Sequence, residues 1–328
     1  MKYMSGVVRR LVRKCLFLLS KPVKATQWYQ SLFVDFNHKI FPDNVWYREN
    51  EERNFDVVNL GSSSAKWAFD WSTVGVKGMN WANQPQTLID DFRLLKNFHS
   101  ILKKNGVVII TIMPFTGLNK TTGLMDTFKY LGTLYWDVIK DMPFAEKAQI
   151  FCSYPILFGK PAFKAVIKHV LGREIAVRDW RLDVEKNPMT HEEQERDAQG
   201  WITGWVKQFN IKNLDDDLSE ENRDGRKIRV RVMQEIVDFC RERGYRPVYV
   251  IPPVTKALNR CYTEKFKKLF FYDFLQEVDR NVPIFDYLMD DELSDSSLYF
   301  NSFFLNKRGR NVFTKRVLCD IGSRIGAV

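Results

Sequence analysis

Histidine is scarce in this chain, with four in 328 residues, at positions 38, 99, 169 and 191. Few imidazoles are therefore on hand as general bases or metal ligands. The five cysteines, Cys15, Cys152, Cys240, Cys261 and Cys319, are odd in number and far apart, with no CxxC pair. That spacing excludes a disulfide scaffold and a thiolate zinc site, and fits reduced thiols in a cytosolic protein. HExxH, GxGxxG after a strand and the P-loop are all missing, so no metal and no cofactor is expected. No apolar run approaches the about 20 residues that cross a bilayer.

What is present is ordinary globular material. The chain is 45% apolar and 27% charged, with 17 Gly and 12 Pro, which excludes disorder and collagen-like repeats. Its charge is unevenly placed. Lys2, Arg9, Arg10, Arg13, Lys14, Lys21 and Lys24 give residues 1–24 seven cations and no acid, against +10 for the whole chain, so the remainder carries only +3. Nucleic-acid binding needs cations clustered along a groove. A nearly balanced body argues against it, and no nucleic-acid partner is expected.

Within residues 1–24, Met4, Val7, Val8, Leu11, Val12, Cys15, Leu16 and Leu19 recur at i, i+3, i+4 spacing, and Arg9, Arg10, Arg13 and Lys14 fill the gaps. The pattern predicts a basic amphipathic helix in a region spanning 1–30. Such a helix suits an anionic membrane surface, and equally a face packed on its own domain or on a partner helix. No cleavage site of small residues precedes Lys21-Pro22, so a secretory signal is not expected. The expected location is cytoplasmic, peripheral on the inner face of the membrane if the helix docks there.

From residue 54 the periodicity is α/β. Phe55–Leu60 reads as a buried strand ending in Gly61-Ser62-Ser63-Ser64, with a helix starting at Ala65–Trp71. Val76–Trp81 reads as a short second strand. A helix is expected over Gln84–Lys104, capped near Asn83, then a central strand over Val107–Met113 stopped by Pro114. Arg229–Arg243 feeds a strand at Pro247–Ile251, Thr263–Arg280 feeds one at Val282–Phe285, and a last helix starts near Asn306. Alternating strands and helices predict a three-layer α/β/α fold around a flavodoxin-like, five-stranded parallel sheet of order 2-1-3-4-5. The core spans 54–115 and 225–328. Residues 116–224 read as a large, mostly helical insertion over the crevice. It carries a second basic helix (Lys160, Lys164, Lys168) and an acidic run, Asp215–Asp217, that suits a solvated loop or weak Ca²⁺ chelation.

A serine directly after a buried strand, on a turn that opens a helix, stands at the ligand crevice. Asn59-Leu60-Gly61-Ser62-Ser63-Ser64-Ala65 is not G-x-S-x-G, because Ala65 replaces the last glycine. It resembles the first block of the SGNH (GDSL-like) hydrolases. So do the short strand ending in Lys77-Gly78-Met79-Asn80, the long helix and third strand, and the stretch Leu298–Gly309 before the final helix. The resemblance covers about 54–115 and 225–325, and implies Ser63 as nucleophile. Aligning Leu305-Asn306-x-x-Gly309 with the family's Asp-x-x-His-Leu-Asn-x-x-Gly ending puts Phe304 at the catalytic His and Asn301 at its Asp. The oxyanion glycine falls near Pro85, which has no N–H, and the third-block Asn has no counterpart after Met113-Pro114.

A serine needs a base to become a useful nucleophile. The sequence offers Lys256, after the fourth strand, as a Ser–Lys partner if burial lowers its pKa, or as a surface lysine. It also offers Asp286, ending the fifth strand, as a carboxylate base or a turn acid. Ser62, Ser64, Asn80, Thr255, Asn301 and Ser302 are candidate substrate or oxyanion contacts. Two functions follow. One is an SGNH-like esterase or O-acyltransferase acting through Ser63 on a cell-surface glycan, its precursor or another acylated small molecule. The other is a non-catalytic relative that binds a glycan or anionic ligand, or serves as an assembly partner in polysaccharide biosynthesis.

Overall fold

A computed structural model describes residues 8, 11, 12, 15, 52–83, 86–114, 116, 171–172 and 189–326. Five strands form one parallel sheet of order β2-β1-β3-β4-β5, from β1 Phe55–Leu60, β2 Gly78–Asn80, β3 Leu102–Thr111, β4 Arg246–Ile251 and β5 Ile284–Asp286. The expected order is therefore the observed one. Helix α1 (Ser63–Lys66) follows β1, α2 (Leu88–Phe98) follows β2, and α3 (His191–Gln208) and α4 (Glu220–Glu242) precede β4. Beyond β4 come α5 (Lys256–Arg260), α6 (Glu264–Lys267) and α7 (Asp273–Gln276), and after β5 comes α8 (Lys307–Ile325).

The layers follow from strand alternation. Val57, Val107, Ile109, Val248, Val250 and Phe285 point to one face, where Phe313, Val317 and Ile321 of α8 close the core. The intervening residues Val58, Leu60, Val108, Ile110 and Ile251 are equally buried and belong to the other face; α4 packs on β4 and α2 packs on α4. Continuous apolar runs are what a strand buried on both faces requires.

Several boundaries differ from expectation for local reasons. Helix α2 starts at Leu88, not Gln84, because Thr87 and Asp90 form a capping box. It ends at Phe98, and Leu102–Lys104 belong to β3, where Asn105 adopts φ 63° and the β1–β3 register shifts. The helix expected from Ala65 is one turn, Ser63–Lys66, followed by a 3-10 turn at Trp71–Thr73. The expected Thr263–Arg280 helix is split by a π turn, Lys268–Tyr272, between α6 and α7. Helix α4 starts at Glu220, capped by Ser219, so Glu220 and Glu221 form its first turn.

The inner stripe of α4 has two polar members, Asn222, which donates to the Phe209 carbonyl, and Arg229. Arg229 is fully buried among Val232, Met233, Ile236 and Val237. Its Nε, Nη1 and Nη2 have no hydrogen-bond partner among the described residues. Burial pushes its pKa from 12.5 down to about 10, against the opposing pull of Asp90 and Asp91, a displacement worth about 3 kcal/mol against the charged form. Asp90 and Asp91 have hydrogen bonds of their own. Arg229→Met is therefore expected to stabilise the fold by about 1–3 kcal/mol in urea unfolding. A loss of stability instead would show that the guanidinium is held by partners.

Candidate functional site

The sheet order reverses between β1 and β3, and in such sheets ligands bind beyond the carboxyl ends of the strands at that point. Gly61–Ser64 leaves β1 there. Gly61 has φ +134°, with Ala65 and Thr111 packed where a Cβ would go. Its N–H donates to Asp91 Oδ1 (2.9 Å), which also accepts from Gln86 Nε2 (2.6 Å). The Gln86 N–H donates to Ser62 Oγ (3.1 Å). Ser62 thus ties the turn to the start of α2. Ser64 is buried, and Ser63 is half-buried in the first position of α1, its hydroxyl making no hydrogen bond among the described residues. Sequence reasoning missed Asp91 and Gln86. The Thr87-x-x-Asp90 box was the available signal, since it puts Asp91 in the first turn of α2 beside the β1 turn.

Asn80 faces this turn but is committed to holding it. Its Oδ1 accepts from Asn59 Nδ2 (2.8 Å) and the Ala82 N–H (3.0 Å), and its Nδ2 donates to the carbonyls of Lys66 (3.2 Å) and Phe69 (3.4 Å). Both amide hydrogens are engaged with α1 and the chain beyond it. Asn59 is fully buried and accepts in turn from Trp71 Nε1 (2.8 Å). The two asparagines brace β1 against β2 and keep α1 seated.

The segment 299–305 reaches the same region. Phe300 meets Trp67, at the end of α1, edge-on with centroids 5.1 Å apart, and Arg310 lies over the Trp67 ring. Asn301 Oδ1 accepts from the N–H groups of Phe303 (2.9 Å) and Phe304 (2.6 Å), which shapes the loop. Ser302 is fully buried. Its N–H (2.9 Å) and Oγ donate to Asp197 Oδ2 on α3, which also accepts from Trp201 Nε1 (3.1 Å). Thr255 donates its hydroxyl to the Ser302 carbonyl (2.7 Å) while capping α5. Phe303 and Phe304 stack at 4.9 Å and both meet Trp201 edge-on, at 5.1 and 5.3 Å. The rings continue through Trp205 and Tyr262, and burial pushes the Tyr262 hydroxyl well above its usual range. Asn306 caps α8 by accepting from the Gly309 N–H (2.9 Å), and a Cβ at Gly309 would collide with the Leu298 carbonyl.

The two base candidates are not brought to Ser63. Lys256 follows β4, two strands from β1, or about 10 Å across the sheet. It is exposed and pairs with Asp291 (3.1 Å). Asp286 ends β5, about 14 Å from β1 on the same spacing. Its carboxylate accepts from the Tyr272 hydroxyl (2.8 Å) and the Leu288 N–H (2.9 Å). His191 opens α3, largely exposed, 3.6 Å from Glu195, and His99 lies beyond the far end of α2 against Tyr245. In the acidic run, Asp217 pairs with Lys265 and Asp216 accepts from the Lys212 N–H. Among the described residues no three His, Cys, Asp or Glu converge as a metal site, and the four described cysteines are free thiols. Pro85, His38, His169, Cys152 and the Lys160–Lys168 helix lie outside the described residues. Comparison of the chain with protein-family models and with curated proteins finds no match.

Proposed function

We propose that this chain is an SGNH-like protein that binds a glycan or acylated small molecule at the switch point without turning it over. One observation carries the reading. Phe304 and Asn301, where the family resemblance expects His and Asp, are built into the scaffold: Phe304 in the aromatic wall with Phe303 and Trp201, Asn301 in the turn that forms that wall. An apolar ring cannot take the Ser63 proton, and an Asn that accepts two backbone N–H bonds is not an orienting carboxylate. The partly exposed rings of Trp67 and Phe300, beside the partly exposed serine turn, instead suit a ligand with an apolar sugar face or acyl group and a few hydroxyls.

The test is covalent labelling of the full chain with a fluorophosphonate probe, read by intact mass, with Ser63→Ala as control. Folded protein is expected to show no adduct at Ser63. A single adduct lost in Ser63→Ala would establish an activated serine and replace this reading by the serine esterase or O-acyltransferase.

A further inference from the structure

We propose that the helix carrying Val8, Leu11, Val12 and Cys15 is an interfacial anchor that lies in the surface of an anionic bilayer. All four residues are helical. Their i, i+3, i+4, i+7 spacing places them within an arc of about 100° on one helix face. An apolar stripe of this kind ordinarily packs onto a core. Among its described residues the stripe is open to solvent: Val8 is 43% and Leu11 56% exposed, Cys15 is exposed, and Val12 is only half-buried. Of the three covers the sequence left open, this exposure speaks against its own domain, because a helix packed there would bury Leu11 first.

The chemistry of the cover is set by charge. Arg9, Arg10, Arg13 and Lys14 occupy the gaps of the stripe, and residues 1–24 hold seven cations and no acid. A second copy of this helix would set cation against cation beside a coiled-coil seam. A nucleic acid would engage the cations and leave Leu11 in water. An anionic bilayer meets both demands at once, with headgroups for the cations and the acyl boundary for the stripe. The anchor lies in the surface and does not span: Arg9, Arg10, Arg13 and Lys14 interrupt the apolar residues, and the run Cys15–Leu19 is far shorter than the about 20 residues that cross a bilayer.

Flotation of the full chain with vesicles tests this, using phosphatidylcholine alone and an about seven-to-three mixture with phosphatidylglycerol. Binding is expected only to the anionic vesicles, and to weaken at least about tenfold between about 0.1 M and 0.5 M salt. Leu11→Gln, which leaves the charge unchanged, is expected to weaken binding about tenfold or more while leaving thermal unfolding unchanged, because Leu11 is exposed. Arg9→Gln with Arg10→Gln is expected to weaken it as well. Equal binding to neutral vesicles, no binding to either, or a Leu11→Gln chain that floats like the unaltered one would each overturn the proposal. The last result would leave a purely ionic contact of the kind a nucleic acid makes.

Discussion

Gly61→Ala is expected to cost about 3–5 kcal/mol and to leave much of the chain unfolded at moderate temperature, since domains have only about 5–15 kcal/mol in hand. Two independent terms act at that position. The backbone has φ +134°, a region open essentially to glycine, and forcing a side chain there costs about 1–3 kcal/mol. The added Cβ would also lie 2.6 Å from the Ala65 Cβ and 3.2 Å from the Thr111 Cβ, an overpacking worth a further 1–3 kcal/mol or so. Relief by backbone movement is restricted, because the Gly61 N–H is held by Asp91 Oδ1 and Asn83 donates to the Gly61 carbonyl. Urea midpoints would measure the loss. Pairing Gly61→Ala with Ala65→Gly separates the terms: the double variant should recover the part due to the Ala65 contact and keep the dihedral part and the looser Thr111 contact. A Gly61→Ala chain within about half a kcal/mol of the unaltered protein would disprove the strained turn.

Asp197→Ala is expected to unlatch the 299–305 loop at a cost of about 3 kcal/mol. One carboxylate oxygen takes the Ser302 N–H, the Ser302 hydroxyl and Trp201 Nε1. Ser302 is fully buried, so no water replaces the lost acceptor unless the loop moves. Movement would carry Phe303 and Phe304 off Trp201 and expose the indole. The expected result is a lowered Tm together with a red shift of tryptophan emission. Asp197→Asn, which retains the shape and one acceptor, should lie between. If Asp197→Ala matched the unaltered protein in both Tm and emission, the latch would not hold the loop. Under the proposed function, the same variant should weaken ligand binding by disordering the wall.

Much of the fold was legible in the sequence because its signals are local. Apolar runs such as Val107–Ile110 and turn residues such as Gly61 mark a doubly covered parallel sheet, and the 2-1-3-4-5 order, expected as the simplest flavodoxin-like arrangement, is the one observed. Helix ends were read less well where a cap competed with periodicity. Thr87 and Asp90 moved the start of α2 to Leu88, and Leu102, apolar and in phase with the helix, was taken by β3.

The site divides along the same line. The sequence by itself determined that Phe304 and Asn301, which the proposed reading sets at the positions of a base and its acid partner, supply neither group, and that an uncompensated run of cations precedes the core. Only the tertiary structure decided what the polar side chains do. Asp91 meets Gly61 across 30 residues and Asp197 meets Ser302 across 105, separations at which hydrogen bonding leaves no periodic trace. Lys256 and Asp286 are adjacent to the crevice in topology but were drawn to Asp291 and Tyr272 instead. The burial of Arg229 and the exposure of Leu11 are likewise tertiary outcomes, since a helical pattern marks which residues share a face but not what that face meets.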